Sequence, residues 1–147
     1  MGLQCNDEMQ EDVMSETDII EAKEQVSSVI FEHQEQEIPH NPYDQELREM
    51  DSIRRGDVEM LKHSMSETYR GEIGQLARNP VRQAKNVAIC VITLASRAAI
   101  DGGMVPEEAF SMVDGYILKI EDMNNAVKIN SLLHYPYPQS LKYSHPP

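Results

Sequence analysis

Between Val87 and Ile100 almost every residue is apolar or small, and this run, VAICVITLASRAAI, is bracketed by two boundary signals. Asn79-Pro80 precedes it: asparagine can cap a helix, and proline fits the first helical position, where no N–H is needed. Gly102-Gly103 follows it and supplies a stop. The pattern predicts a helix over about 80–101. A helix apolar nearly all round must be surrounded by other elements, so this one is expected at the centre of the fold. Ala84, Ala88, Ala95, Ala98 and Ala99 let neighbouring helices approach closely. The uncharged stretch between Lys85 and Arg97 is too short for a bilayer, which needs about 20 residues, so a soluble protein is expected.

The rest of the chain reads as helices of ordinary length. Ile19, Ala22, Val26, Val29 and Ile30 recur at helical spacing between Asp18 and Glu35, although the β-branched cluster Val26–Phe31 leaves a short strand open. Ile38-Pro39 breaks the chain. Asn41-Pro42-Tyr43-Asp44 starts a helix with Tyr43, Leu47 and Met50 on one face, and Gly56 can end it. Asp57 caps a short helix whose inner face is Val58, Leu61 and Met65. Tyr69–Gly74 reads as a turn. Pro106, with Glu107 and Glu108 in the first turn, opens a helix striped by Ala109, Val113, Tyr116, Ile117, Ile120 and Met123. A last short helix is expected over about Asn125–Leu133. The sum is an all-α bundle of five or six helices over 18–134, with a disordered acidic arm at 1–17 and a proline-rich, extended tail at 135–147.

Charge is unevenly spread. Residues 1–50 hold 14 acidic and 2 basic side chains, a net of −12, which equals the formal charge of the whole chain. The remainder is nearly neutral. An acidic arm repels phosphate backbones, so direct nucleic-acid binding by this chain is not expected. Cys5 and Cys90 lie far apart, which fits a reduced cytoplasmic protein with an inert core thiol at Cys90. The N-terminus lacks the basic start and apolar stretch of a signal peptide.

The sequence carries no recognisable catalytic set. There is no phosphate-binding glycine loop, no HExxH and no nucleophile elbow, so neither an enzyme nor a cofactor is expected. The five histidines are scattered, and a His33/Glu37 pair reads as a solvated face rather than a metal site. No ligand-binding set is identifiable. Arg97 alone asks for a partner, because an unpaired buried charge is costly. Three readings stand: an ion pair with Asp114 that fixes the angle between two helices, a solvent-facing strip on which the arginine stem covers apolar surface, or a ligand anion bound by the guanidinium. Arg78, Arg82 and Lys85 form a small basic cluster at the start of the central helix, suited to a phosphate or to the acidic arm. Asn79, Pro80, Gly102 and Gly103 are expected to be structural.

Taken in order, HNPYDQE, IRRGD, NPVRQAKN, SRAAIDGG, PEEAFS and VDGYI form a series that resembles the N-terminal region of a group of AraC-type transcriptional regulators from Firmicutes, from about His40 to Asn130. The resemblance implies a bacterial, cytoplasmic gene regulator whose C-terminal domain would carry two helix-turn-helix units, and whose N-terminal region senses, dimerises or supports. This sequence departs from the pattern after Asn130, turning to SLLHYPYPQSLKYSHPP, so DNA-reading residues have no positions to occupy here. The expectation is a regulatory or oligomerisation domain acting through a homodimer or a protein partner. The alternative is a stand-alone helical interaction module.

Overall fold

The computed structural model describes residues 13–37, 39–68 and 71–134, and among them the chain is all-helical. Six helices follow one another: α1 (Glu16–Gln36), α2 (Tyr43–Arg55), α3 (Val58–Ser66), α4 (Pro80–Asp101), α5 (Pro106–Glu121) and α6 (Ala126–His134). The expected arm at 1–17 lies mostly, and the tail at 135–147 wholly, outside the described residues, as do Ile38 of the predicted break and Tyr69 of the predicted turn. The chain divides into two compact units, residues 1–38 and 39–147, so α1, grouped with the bundle on sequence grounds, falls in a unit of its own.

In the first unit, the β-branched cluster of α1 is helical throughout. Ser15 and Asp18 form a reciprocal capping box that satisfies two free N-terminal donors, which favours the helix over the strand alternative. No residue of α1 is buried, and Ile19, Val26, Val29 and Ile30 are exposed.

The second unit is built on α4, with each boundary set by local chemistry. Asn79 accepts from the N–H groups of Val81 and Arg82, and Pro80 takes the first helical position. Asp57 accepts from Met60 N–H to start α3, and Asn125 accepts from Lys128 N–H at the head of α6. Gly56 ends α2 at φ 69°, a left-handed conformation that suits glycine. α2 begins one residue later than expected: Pro42 stands at the cap and Tyr43 at the first helical position. α6 runs to His134, so the SLLH segment is helical as well.

α4 joins two apolar clusters. Its C-terminal half packs Ala98 and Ala99 against Ile53 of α2, Leu61 of α3, and Met104 and Ala109 at the head of α5. Its N-terminal half packs Ala84, Ala88 and Ile92 against Ile120 of α5 and Ile129 of α6. The alanines account for the close packing, since a larger side chain at any of them would force the helices apart. The connection from α3 to α4 is fixed by side chains of α4. The Gln83 amide oxygen accepts from Leu76 N–H (2.6 Å) and Ala77 N–H (2.9 Å), and its NH₂ donates to the Gly74 carbonyl (2.8 Å). Asn86 donates to the Leu76 carbonyl at 3.1 Å. A parallel bridge between His40 and Glu72 holds the other end of this segment to the approach of α2.

The expectation that α4 is enclosed on every side is corrected. Cys90, Leu94, Arg97 and Asp101, at spacings of four, three and four, form an exposed stripe along it. Cys90 is therefore an exposed thiol and not a core one. The run is apolar all round in composition, but α2, α5 and α6 cover only the alanine-rich sides.

Candidate ligand groove

Of the residues singled out in the sequence, Asn79, Pro80, Gly102 and Gly103 set the ends of α4, Asp114 is exposed, and Arg97 follows the solvent-facing reading rather than the ion pair. No ion pair joins Arg97 to Asp114. The arginine lies on the exposed stripe, its guanidinium 4.8 Å from the centre of the Phe110 ring on α5, and it donates to the Ser96 hydroxyl at 2.8 Å. An exposed guanidinium has no desolvation cost to offset, so stacking on an aromatic face replaces the ion pair expected of a buried one. The α4–α5 clasp is a cation–π contact.

The basic cluster is also reassigned. Lys85 is buried, 5 % exposed, and its ammonium donates to the backbone carbonyl of Glu121 at the end of α5. The Glu121 carboxylate stands 3.7 Å from both Lys85 and Arg82. Lys85 thus meets a carbonyl left without an intrahelical partner, at the negative end of a helix dipole. That occupation leaves little of the cluster for a phosphate. Gly102 and Gly103 terminate α4 differently from each other. Gly103 takes φ 108°, whereas Gly102 is right-handed, and a Cβ on it would collide with the Arg54 carbonyl at the end of α2.

Sequence reasoning missed a groove in the second unit. It is a cleft of about 620 Å³ bordered by α2, α4 and α6. The α4 side presents Val87, Val91 and Leu94, at helical spacings of four and three, and Met50 and Leu133 complete the apolar wall from α2 and α6. The α2 side adds Tyr43, Gln45, Glu46 and Glu49, and among the described residues no lysine or arginine lines the cleft. Besides these glutamates and Tyr43, the ionisable group described there is His134 at the end of α6. Glu49 accepts from the Gln45 side-chain amide at 3.2 Å. Burial pushes its carboxyl above the ordinary glutamate range; the Gln45 bond works in the opposite direction, and the neighbouring Glu46 charge adds to the rise. The sequence signal is the second stripe on α4, Val87, Val91 and Leu94, which the alanine stripe leaves unmatched.

Among the described residues no group of three or more His, Cys, Asp or Glu side chains is placed to hold a metal ion. No helix among them is long and apolar enough to cross a membrane. Comparison with family models, with curated proteins and with solved structures returns no match to this chain.

Proposed function

We propose that the helical body from His40 to Asn130 is the regulatory domain of an AraC-type transcriptional regulator, acting in the cytoplasm without itself contacting DNA. One observation carries the reading. Most of the words that bear the resemblance lie at joints of the body, while VDGYI lies within α5. IRRGD forms the α2–α3 turn, where Gly56 is left-handed, and its Arg54 carbonyl abuts Gly102 of SRAAIDGG. NPVRQAKN supplies the α4 cap, the Gln83 and Asn86 bonds to the preceding segment, and the Lys85 contact with α5. PEEAFS starts α5 and holds both Ala109 of the core and Phe110 under Arg97. A series of words that fixes one architecture supports a likeness at the level of the domain. The net of −12 carried by residues 1–50, at the N-terminal side of this body, supports a role away from phosphate.

The test has two arms. The chain alone should give no sequence-specific mobility shift with DNA at physiological salt. Fused to a monomeric helix-turn-helix output domain, it should change that domain's operator occupancy. A specific shift by the chain alone, or an unchanged occupancy, refutes the proposal.

A second reading, a stand-alone interaction module, is favoured by the exposed apolar residues of α1. Val26→Asp with Ile30→Asp separates the two. The module loses its partner, whereas the regulatory domain keeps its effect on the output domain.

A further inference from the structure

We infer that the groove between α2, α4 and α6 is a binding site for a small amphipathic cation, an apolar body carrying an ammonium or amidinium head.

The volume, about 620 Å³, lies within the range of small-molecule sites, roughly 300–1,000 Å³. Its two sides differ in chemistry. The α4 and α6 side is mainly hydrocarbon from Val87, Val91, Leu94 and Leu133, with Asn130 and His134 at its α6 end, and Leu94 remains 42 % exposed. An apolar body seated there would remove that surface from water, with a gain of about 25 cal/mol per Å² covered.

The α2 side selects the head group. Glu46 and Glu49 both line the groove, no lysine or arginine among the described lining residues answers them, and Tyr43 stands one turn before Glu46. Arg48, between the two glutamates in sequence, directs its guanidinium to Asp44 at 2.9 Å and to Glu67 at 2.8 Å, and does not line the groove. Glu49 is the poised member of the pair. Its partly desolvated carboxylate gains from any cation brought beside it, because a charge-assisted hydrogen bond in a partly dry site is stronger than one in water. The Tyr43 ring, lining the same groove, offers a second attraction for a cation. An anionic amphiphile would meet both carboxylates with like charge, and a neutral one would bring them no countercharge, leaving Glu49 with its Gln45 bond.

The site is independent of the regulatory reading, and its test reads binding alone. Decylammonium, decanoate and methylammonium are titrated separately into the full chain by isothermal calorimetry, each amphiphile below its micelle concentration. The expected result is one decylammonium per chain, with decanoate at least tenfold weaker and methylammonium without measurable heat. Glu46→Gln with Glu49→Gln should weaken decylammonium about tenfold, leave decanoate no weaker, and retain the helical circular dichroism of the parent. Leu94→Ala should weaken the decyl chain and not the head-group preference. Equal binding of decanoate and decylammonium overturns the inference, as does an unchanged affinity in the double glutamine variant. Binding of neither amphiphile also overturns it, and would point to a groove that only a protein segment fills.

Discussion

The Lys85 ammonium holds the terminal carbonyl of Glu121 from within the core, joining the early turns of α4 to the last turn of α5. The lysine is buried between Ala84 and Ala88 in the helix order, and its charge finds both a backbone acceptor and a carboxylate at 3.7 Å. The backbone contact should dominate, because the Glu121 side chain is 64 % exposed and its charge is screened by water. Lys85→Met keeps most of the packing but orphans the carbonyl, and should cost about 1–3 kcal/mol in urea denaturation. Glu121→Gln retains the carbonyl and should cost less than about 1 kcal/mol. Equal losses would assign the contact to the carboxylate instead.

Arg97 and Phe110 form the other clasp between the same two helices, near the opposite end of α4. A double-mutant cycle with Arg97→Ala and Phe110→Leu should return a coupling of about 0.5–1 kcal/mol. Asp114→Ala should leave stability within about 0.5 kcal/mol of the parent, as for an ordinary exposed residue. A large effect at Asp114 with no coupling at Phe110 would restore the ion pair.

The ends of the helices are legible in the sequence, and so are the inner faces of α3 and α5, whose Leu61, Ala109 and Ile120 are buried; the faces of α4 are not. Asn79-Pro80, Asp57, Gly56 and Pro106 mark boundaries through interactions within one or two turns, so short words suffice to read them. Which side of α4 meets a neighbour is a tertiary matter, and an almost wholly apolar helix gives no contrast between sides. Two periodic signals are nonetheless present. Lys85, Ala88, Ile92, Ser96 and Ala99 follow one buried line, which places the lysine inside. Val87, Val91 and Leu94 follow another, which lines the groove. Charge groups Lys85 with Arg78 and Arg82, whereas helical register groups it with the buried alanines, and register prevails. The groove is hidden for a different reason: its acidic side comes from α2, a distant part of the chain, and no local pattern links Glu49 to Leu94.

Glu49 gives the fold a pH dependence of defined sign. Its carboxyl is raised above the ordinary glutamate value by burial, so the folded chain holds that proton more tightly than the unfolded one. Stability from this group is therefore greatest below the ordinary glutamate value and falls as pH rises through the raised one. Glu49→Gln removes the dependence. Its melting temperature should match the parent's below about pH 4 and exceed it at about pH 7. A variant less stable than the parent at neutral pH would mean that the carboxylate makes a net favourable contact in the folded chain.

The stop after α4 should respond to substitution at two adjacent glycines for two distinct reasons. At Gly102 the backbone is right-handed, so conformation does not demand glycine; the obstacle is the Arg54 carbonyl, against which a methyl group would be driven. Neither backbone can yield without moving α2 relative to α4, since Ile53 beside Arg54 is buried against Ala98 and Ala99. Gly102→Ala should therefore cost about 1–3 kcal/mol as an overpacking penalty. At Gly103 the cause is φ 108°, which an L-residue adopts only under strain, and Gly103→Ala should cost about 1–3 kcal/mol. Gly115 provides the control. It lies in α5, where an added methyl group would meet open space, so Gly115→Ala should stabilise by about 0.5–1 kcal/mol through helix propensity. Combining Gly102→Ala with Arg54→Gly should recover little, because the collision is with a main-chain oxygen that every residue carries.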